Sequence, residues 1–219
     1  MPSLAACYYR PAKHATLPMD QIVLEALRKW PNVPSVFGWL SLDRRGNWAI
    51  KEVRVRHAAI VDFIGRNYAR DEQGRWYFQN GPQRVFVRLA YTPMVYRTHQ
   101  GAHGLAFTAH TTAAVREVRR AWVDEQGFLL LETELGLGVV HDQDLPDVLS
   151  RLIGPDGAPM GDDAIEALLD AAAGADSEEG IALHTAAGAG PVFTVLSDEV
   201  AQRFGFDPDP RPPPGEPEC

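Results

Sequence analysis

A short phrase that recurs along the chain constrains the fold more than any other feature. The first copy is DRRGNW at residues 43–48, and the second is DEQGRW at residues 71–76. A third copy, DEQG at residues 124–127, repeats the turn without the tryptophan. An Asp side chain accepts hydrogen bonds from the backbone just ahead of it, and a Gly three positions on adopts a positive φ without steric cost. Each copy therefore predicts a tight connection between two β-strands.

The tryptophans that close the first two copies have two interpretations. Trp48 and Trp76 each lie two residues beyond the turn glycine, on one face of the outgoing strand. In a structural interpretation both rings are buried in the core, where a Trp side chain removes a large area from water. In a functional interpretation they form the wall of a ligand groove. Their exposure decides between the two.

The two halves of the chain carry opposite charge. Residues 1–100 hold 15 Lys and Arg against 7 Asp and Glu, whereas residues 101–219 hold 6 Arg against 22 Asp and Glu. The net charges are therefore +8 and −16. Such asymmetry predicts either a basic surface for an anionic partner or two regions that attract each other. With 45% hydrophobic residues among 219, the chain is long enough for one large domain or two small ones.

The sequence predicts a cytoplasmic protein that is not inserted in a membrane. No apolar run approaches the ~18 residues of a membrane span. Residues 4–7 resemble the end of a lipoprotein signal, but too few residues precede them for a charged and an apolar region. Cys7 and Cys219 lie near opposite ends of the chain and form no disulfide framework, as is typical of a reducing compartment.

The pattern of apolar residues predicts an α+β fold of two small units, each made of antiparallel β-hairpins packed with helices. Helices are predicted over residues 18–30 and 57–69, and hairpins around the recurring turns and around residues 80–82. A cluster of His, Gln and Gly near residues 98–104 marks the boundary between the units. The predicted organisation is an irregular N-terminus (1–17), a basic unit (18–98), an acidic unit (99–206) and a disordered Pro-rich tail (207–219).

The spacing of the turns predicts that the two units are related. A shift of 81 residues places the first turn, 43–46, on the third turn, 124–127. In both units a strand precedes this turn, an apolar strand follows it, and a helix comes later, at residues 57–69 and 145–153. A repeated β-hairpin–helix motif accounts for these correspondences.

Three stretches of the first half resemble an uncharacterised family of proteobacterial proteins with no assigned function. They are FGWLSLDRRGNW (37–48), FIGRNY (63–68) and GRWYFQNGPQRVFV (74–87). The resemblance covers residues 35–97 well and the acidic half loosely. More distantly, the arrangement is similar to another uncharacterised bacterial family, whose fold has repeated structural motifs and for which a role in signal transduction has been suggested. The resemblance implies two repeated α+β units and supplies no catalytic residues.

The densest group of polar and aromatic residues lies in segment 75–84 and forms the predicted ligand site. Strand alternation places Trp76 and Phe78 on one face of the sheet and Tyr77 on the other. A face with Tyr, Gln and several Arg is able to hold an anion or a stacked ring, although a solvated face beside a turn has the same composition. The candidate ligand-binding residues are Trp48, Trp76, Tyr77, Gln79, Asn80, Arg84 and Arg88.

Three histidines, His99, His103 and His110, form a weaker candidate metal site. A His-x3-His spacing places two ligands on one face of a helix. Gly101 and Gly104 disfavour a helix there, and no cysteine or third ligand has the usual spacing. The sequence therefore predicts neither a bound metal nor another cofactor. It also contains no GxSxG nucleophile motif and no complete phosphate-binding loop.

Three functions are compatible with these features. The preferred one is a cytoplasmic, non-enzymatic binding or regulatory protein that recognises an anionic small molecule or protein through its basic, aromatic first half. The second is a small enzyme whose site lies between the halves and uses His99, His103 or His110 with a carboxylate. The third is an oligomeric scaffold assembled by the charge asymmetry. Overall acidity and the absence of a known module disfavour a nucleic-acid partner.

Overall fold

The structure is a computed structural model and describes residues 19–172 and 180–215. Within these residues the chain is an α+β protein, as the sequence predicts. The predicted irregular N-terminus, residues 1–17, lies outside the described residues. The helices are α1 (Gln21–Lys29), α2 (Ala58–Arg66), α3 (Leu145–Leu149), α4 (Asp162–Ala172) and α5 (Val200–Phe204), with a 3₁₀ turn at Asp142–Asp144. The strands are β1 (Val36–Leu42), β2 (Trp48–Ile50), β3 (Val53–Arg54), β4 (Tyr68–Arg70), β5 (Trp76–Asn80), β6 (Gln83–Leu89), β7 (Met94–Gly101), β8 (Gly104–Ala109), β9 (Val118–Asp124), β10 (Leu129–Thr133), β11 (Gly136–Val140), β12 (Leu152–Ile153), β13 (Ala182–Thr185) and β14 (Gly188–Val195).

The strands form two sheets that follow one another along the chain. The first sheet has the order β3-β2-β1-β6-β5-β4, and the second has the order β12-β13-β14-β9-β10-β11-β7-β8. Most neighbouring strands are antiparallel, as the hairpin turns predict. Among the described strands, the pairs β1–β6, β9–β14 and β7–β11 are parallel. A parallel pair cannot be joined by a hairpin, so each needs a longer connection that local turn signals do not reveal.

The two sheets contain the same chain path, which confirms the repeated motif. The first repeat spans residues 36–89 (β1–β6), and the second spans residues 118–195 (β9–β14). In each, three strands are followed by a helix, α2 or α3, and by three further strands. The spatial order is third-second-first-sixth-fifth-fourth in both, and the first and last strands are parallel. The second repeat differs by the insertion of α4 between β12 and β13 and by the β7–β8 hairpin beside β11.

The recurring turns have the same hydrogen bonds in all three copies. One carboxylate oxygen of Asp43, Asp71 or Asp124 accepts the backbone N–H groups two and four residues ahead, at 2.8–3.0 Å. The turn glycines have φ values of +79°, +83° and +80°, which only glycine adopts without strain. The same phrase therefore gives the same backbone geometry. The second carboxylate oxygens accept from different partners, which are Asn47, Arg75 and Tyr91, respectively.

A fourth turn, at residues 154–157, extends the repeat to the second connection of each unit. The N–H of Gly154 donates to the carbonyl of Ala158 at 2.8 Å, and the N–H of Gly157 donates to the carbonyl of Gly154 at 2.9 Å. Gly157 has a φ of +79°. This turn follows the fourth strand of the second repeat, as turn 71–74 follows the fourth strand of the first. Gly154 stands where the other turns have Asp, and the backbone hydrogen bonds of the turn are the same without it.

The predicted boundary between the basic and acidic units, at residues 98/99, lies inside a strand. The chain leaves the first sheet at Leu89 and enters the second at Met94. Because β7 runs from Met94 to Gly101, residues 98 and 99 both belong to it. The polar second half of β7 is exposed or half-buried, and its pairing with β11 ends at Tyr96. It therefore lacks the alternation of a core strand. The division into a basic and an acidic unit remains a prediction.

The tail predicted to be disordered from residue 207 is instead docked at its start, which corrects that prediction. The backbone N–H of Asp207 donates to the carbonyl of Gly74 at 3.1 Å, and that of Leu89 donates to the carbonyl of Pro208 at 2.8 Å. Pro210 is buried. This segment needs no core of its own because it uses backbone groups of the first repeat, and composition alone does not reveal such a partner.

The connection between the repeats docks in the opposite direction. After β6, the hydroxyl of Tyr91 donates to the carboxylate of Asp124 in the turn of the second repeat. The N–H of Val139 donates to Oγ1 of Thr92 at 2.8 Å. Because the segment after α5 binds turn 71–74 of the first repeat, each repeat's outgoing segment rests on a turn of the other.

Helix α2 is shorter than the helix predicted over residues 57–69. It ends at Arg66, and Tyr68 begins β4. Asn67 between them is fully buried, and its side chain donates to the carbonyl of Phe63 at 2.9 Å. Tyr68 faces the same core as the last apolar residues of the helix, so the apolar spacing in the sequence continues past the point where the backbone changes.

Side chains of both sheets pack into one hydrophobic cluster. Its largest fully buried members include Trp48 and Tyr68 from the first sheet and Tyr96 and Phe107 from the second. A smaller cluster of buried residues lies apart from it and contains Phe37, Ala69, Tyr77 and Phe86. None of the described helices has the length and apolar character needed to cross a bilayer.

We expect the third turn to be the most sensitive to loss of its carboxylate. Asp124 is fully buried, so Asp124→Ala leaves two backbone N–H groups and the Tyr91 hydroxyl without an acceptor. The expected loss is about 3 kcal/mol or more of unfolding free energy. Asp43 makes the same backbone bonds at an exposed position, so Asp43→Ala should cost about 1 kcal/mol. Denaturant unfolding measures both, and equal losses would contradict the role given to burial.

Candidate functional site

The first sheet has a core face and an outer face, and strand alternation assigns its residues as the sequence predicts. Trp76 and Phe78 of β5 point into the main hydrophobic cluster. Tyr77, between them, belongs to the smaller cluster on the outer face. There the ring of Phe37 stacks on that of Phe86, with centroids 4.6 Å apart. The outer face is therefore aromatic as well as polar.

A cleft of about 370 Å³ opens where the second turn meets this outer face. Its volume lies at the lower end of the range of roughly 300–1,000 Å³ that is typical of ligand pockets. Three arginines and two acidic residues line it, so its lining carries a small positive charge. The lining residues are Arg70, Asp71, Glu72, Gln73, Arg75, Tyr77 and Arg84.

The three arginines of the cleft have different partners. Arg75 is paired with Asp71 at 2.8 Å, and its guanidinium lies 4.5 Å from the centroid of the Phe86 ring. Arg84 lies over the Tyr77 ring at 4.8 Å and has no carboxylate partner among the described residues. Arg70 donates to the carbonyl of Gly205 at 2.6 Å and likewise has no described carboxylate partner. Within the described part of the chain, the guanidinium groups of Arg70 and Arg84 therefore have no direct ion pair.

Tyr77 forms the floor of the cleft between these charges. Burial raises the pKa of the Tyr77 hydroxyl above its ordinary value of 10.0, whereas the charge of Arg84 opposes the shift. The side chain is therefore a neutral phenol at physiological pH. It is able to donate a hydrogen bond to an acceptor held by the arginines.

Only Tyr77 and Arg84 of the seven predicted site residues lie in the cleft. Trp48 and Trp76 are 1% and 4% exposed, which is a correction, because rings so deeply buried cannot form the wall of an open groove. Both pack against Tyr68, with ring centroids 5.1 Å and 4.9 Å away. Their structural interpretation is the one that the fold supports.

The other three predicted site residues have structural or peripheral positions. Gln79 is buried and donates from Nε2 to the carbonyl of Gly81 at 2.9 Å, which braces the adjoining turn. Asn80 is exposed in that turn. Arg88 is exposed, pairs with Glu52, and does not line the cleft.

Sequence reasoning did not identify Arg70, which the fold brings into the cleft. It directly follows the segment that the sequence predicts as a helix, 57–69, so its neighbours across the sheet were unknown. β4 places it opposite Trp76 in β5, and the second turn joins the two strands. Its position directly before the turn phrase is the signal that identifies it once that turn is known to join two strands.

The three histidines are not brought together, so they do not form the candidate metal site. The enzyme that uses one of them with a carboxylate stays a prediction. His99 and His103 are exposed on the β7–β8 hairpin. His110 lies at the other end of that hairpin, level with Val95 and therefore roughly 13 Å from His99. No group of three or more metal-ligating side chains occurs in the part of the chain that the structure describes.

His110 has a structural environment instead. Its ring lies 5.2 Å from that of Trp48 and 5.7 Å from that of Tyr68. Nδ1 accepts the N–H of Val95 at 3.3 Å, while Nε2 is inaccessible to solvent and has no described partner. The residue as a whole is half-buried, but Nε2 of its ring is removed from water. Burial therefore lowers the pKa of His110 from 6.5 to about 3.

This shift predicts a pH dependence of stability. Between pH 6.5 and about 3 the unfolded state binds a proton on His110 that the folded state does not. The free energy of unfolding therefore falls as the pH drops through this window, by up to ~1.4 kcal/mol per pH unit from this group. His110→Asn retains an acceptor but removes the titration, so its stability should depend less steeply on pH. Denaturant unfolding at pH 7, 6, 5 and 4 measures the slopes.

The matched control is His99→Asn, which replaces an exposed histidine on the same hairpin. Its slope should equal that of the unaltered protein. An unchanged slope in His110→Asn would show that burial of this ring does not govern the acid sensitivity.

Comparisons with known proteins identify a family and two solved structures. A DUF1285 family protein from Silicibacter pomeroyi DSS-3 is 16% identical, with 84% of this chain and 99% of that chain covered and a TM-score of 0.46. A DUF1285 family protein from Shewanella baltica OS155 is 12% identical, with coverages of 48% and 85% and a TM-score of 0.39. No curated protein matches. A family model, DUF2944, matches residues 19–211. The chain therefore belongs to the family described as Protein of unknown function (DUF2946).

Proposed function

We propose that this protein is a cytoplasmic, non-enzymatic binding protein with a regulatory role, and that it recognises a small anionic ligand in the arginine cleft of the first sheet. One observation carries the proposal. Arg70 and Arg84 converge on one cleft, and neither has a carboxylate partner among the described residues.

The arrangement of the cleft favours an anion over a neutral ligand. Guanidinium groups present several donors in a fixed plane and bind carboxylate or phosphate oxygens in pairs. Arg84 is held over Tyr77, and Arg75 is fixed by Asp71, so little side-chain entropy remains to be lost on binding. Arg70 donates to only one described acceptor, the carbonyl of Gly205, and so retains donors for a ligand.

The composition of the cleft favours binding over catalysis. Among the described residues that line it, none is Ser, Thr, Cys or His. Of the usual groups for nucleophilic attack and proton transfer, the lining has only the carboxylates of Asp71 and Glu72 and the phenol of Tyr77. The carboxylate of Asp71 is occupied by the turn backbone and by Arg75. The proposed cytoplasmic location rests on cysteine usage, because the sequence has only Cys7 and Cys219.

Calorimetric titration at low ionic strength tests the proposal, with pyrophosphate, ATP and citrate as probes. We expect at least one of these anions to bind and the affinity to fall as salt is added. Arg84→Gln should weaken that binding roughly 10- to 100-fold, because a hydrogen bond to a charged group contributes about 1.5–3 kcal/mol. Arg70→Gln should have a similar effect, since it removes the second uncompensated charge.

Arg151→Gln is the matched control, because Arg151 is an exposed arginine of the second repeat that does not line the cleft. It should bind the probe as the unaltered protein does. Failure of all three anions to bind would overturn the proposal. Equal weakening by Arg84→Gln and Arg151→Gln would also overturn it, since it would indicate a response to net charge alone.

A further inference from the structure

A second depression lies beside the first turn, 43–46, and shares no lining residue with the arginine cleft at the second turn. Its volume is about 330 Å³, which is again at the lower end of ligand pockets of roughly 300–1,000 Å³. It lies between the first turn, the β2–β3 hairpin and α2. The lining residues are Gly46, Asn47, Trp48, Arg54, Val55, Arg56 and Val61.

The depression combines an apolar floor with a cationic rim. Val55 and Val61 are half-buried, pack against the main hydrophobic cluster, and supply the floor. Trp48 also belongs to the lining, but it is almost completely buried. Arg54 and Arg56 supply the rim, and both are exposed. The described lining contains no Asp or Glu, in contrast to the arginine cleft. Its charge is therefore entirely positive.

A chain of hydrogen bonds orients the rim. Asp43 accepts from Nδ2 of Asn47 at 2.8 Å, and Oδ1 of Asn47 accepts from the guanidinium of Arg54. In the second turn, Arg75 occupies the position of Asn47 and bonds to Asp71 directly. The Asn in the first turn thus transmits the position of the carboxylate to an arginine on the next hairpin.

The hairpin that carries Arg54 is built at a conformational cost. Lys51 and Glu52, in its turn, have φ values of +47° and +67°, which are unfavourable for residues with a Cβ. The turn folds β3 back on β2, and the N–H of Val55 donates to the carbonyl of Trp48 at 2.8 Å. This fold places the rim beside the floor.

From these observations we propose that the depression binds a small organic acid with an apolar body, such as an aromatic carboxylic acid. The apolar body lies on Val55 and Val61, and the carboxylate accepts hydrogen bonds from Arg54 and Arg56. An inorganic anion would leave the apolar floor without a partner, and a neutral aromatic molecule would leave the arginines without one. The site therefore selects for both features at once.

A titration followed by amide NMR spectra tests the inference, with benzoate, benzyl alcohol and inorganic phosphate as probes. Benzoate should shift the amide signals of residues 47, 55 and 56 saturably and bind about tenfold more tightly than either other probe. Arg56→Gln should weaken benzoate about tenfold, because it removes a charged donor. Val61→Thr, which keeps the shape of the side chain, should weaken benzoate but not phosphate. Arg151→Gln should change neither.

Several results would overturn the inference. Benzoate that shifts no signal at these residues, or that binds Arg56→Gln unchanged, would show that the rim does not hold the carboxylate. Phosphate or benzyl alcohol that binds as tightly as benzoate would show that the site does not require both features. These results are independent of the arginine cleft, because Arg84→Gln is expected to bind benzoate at this depression as the unaltered protein does.

Discussion

The parallel pairing of the first and last strands of each repeat is the constraint on which the rest of the structure depends. In the first repeat it aligns Leu40 with Val87, and in the second it aligns Ala121 with Val192. Such a pair cannot be closed by a hairpin, so the chain between must leave on one side of the sheet and return on the other. Two further strands on each side and the helix between them satisfy this requirement. The positions of the turns, of the arginine cleft and of the second depression follow from that path.

The same turn phrase occurs in three different structural environments. In each copy the first carboxylate oxygen accepts from the backbone N–H groups of the turn. The second oxygen accepts from a side chain that differs from copy to copy. In the first turn this oxygen binds Asn47, which orients Arg54 on the β2–β3 hairpin. In the second turn it holds Arg75 in the arginine cleft. In the third turn it binds Tyr91 and so joins the two repeats. The three turns therefore share one backbone geometry, although the side chains around them differ. This explains why the phrase identifies the fold and does not by itself identify a function.

The sequence predicted what depends on local chemistry and failed where distant segments decide. The Asp-x-x-Gly turns and the alternation around Tyr77 follow from backbone preferences and strand periodicity, and both are found in the structure. The burial of Trp48 depends on Tyr68 and on the second sheet, which no local pattern encodes. Arg70 reaches the cleft through β4, whose first two residues the sequence assigns to a helix. The docked start of the tail uses backbone partners from the first repeat, and composition contains no information about them.

The crossed docking of the outgoing segments has a consequence for how the protein opens. Tyr91 leaves the first repeat and binds the turn of the second, while Asp207 returns from the second repeat and binds the turn of the first. Opening either repeat therefore removes hydrogen bonds from the one that stays folded. Their local stabilities are coupled, and we expect the amides of both turns to exchange with solvent at a common free energy. A sequence that divides into two halves would then behave, in its fluctuations, as one cooperative body.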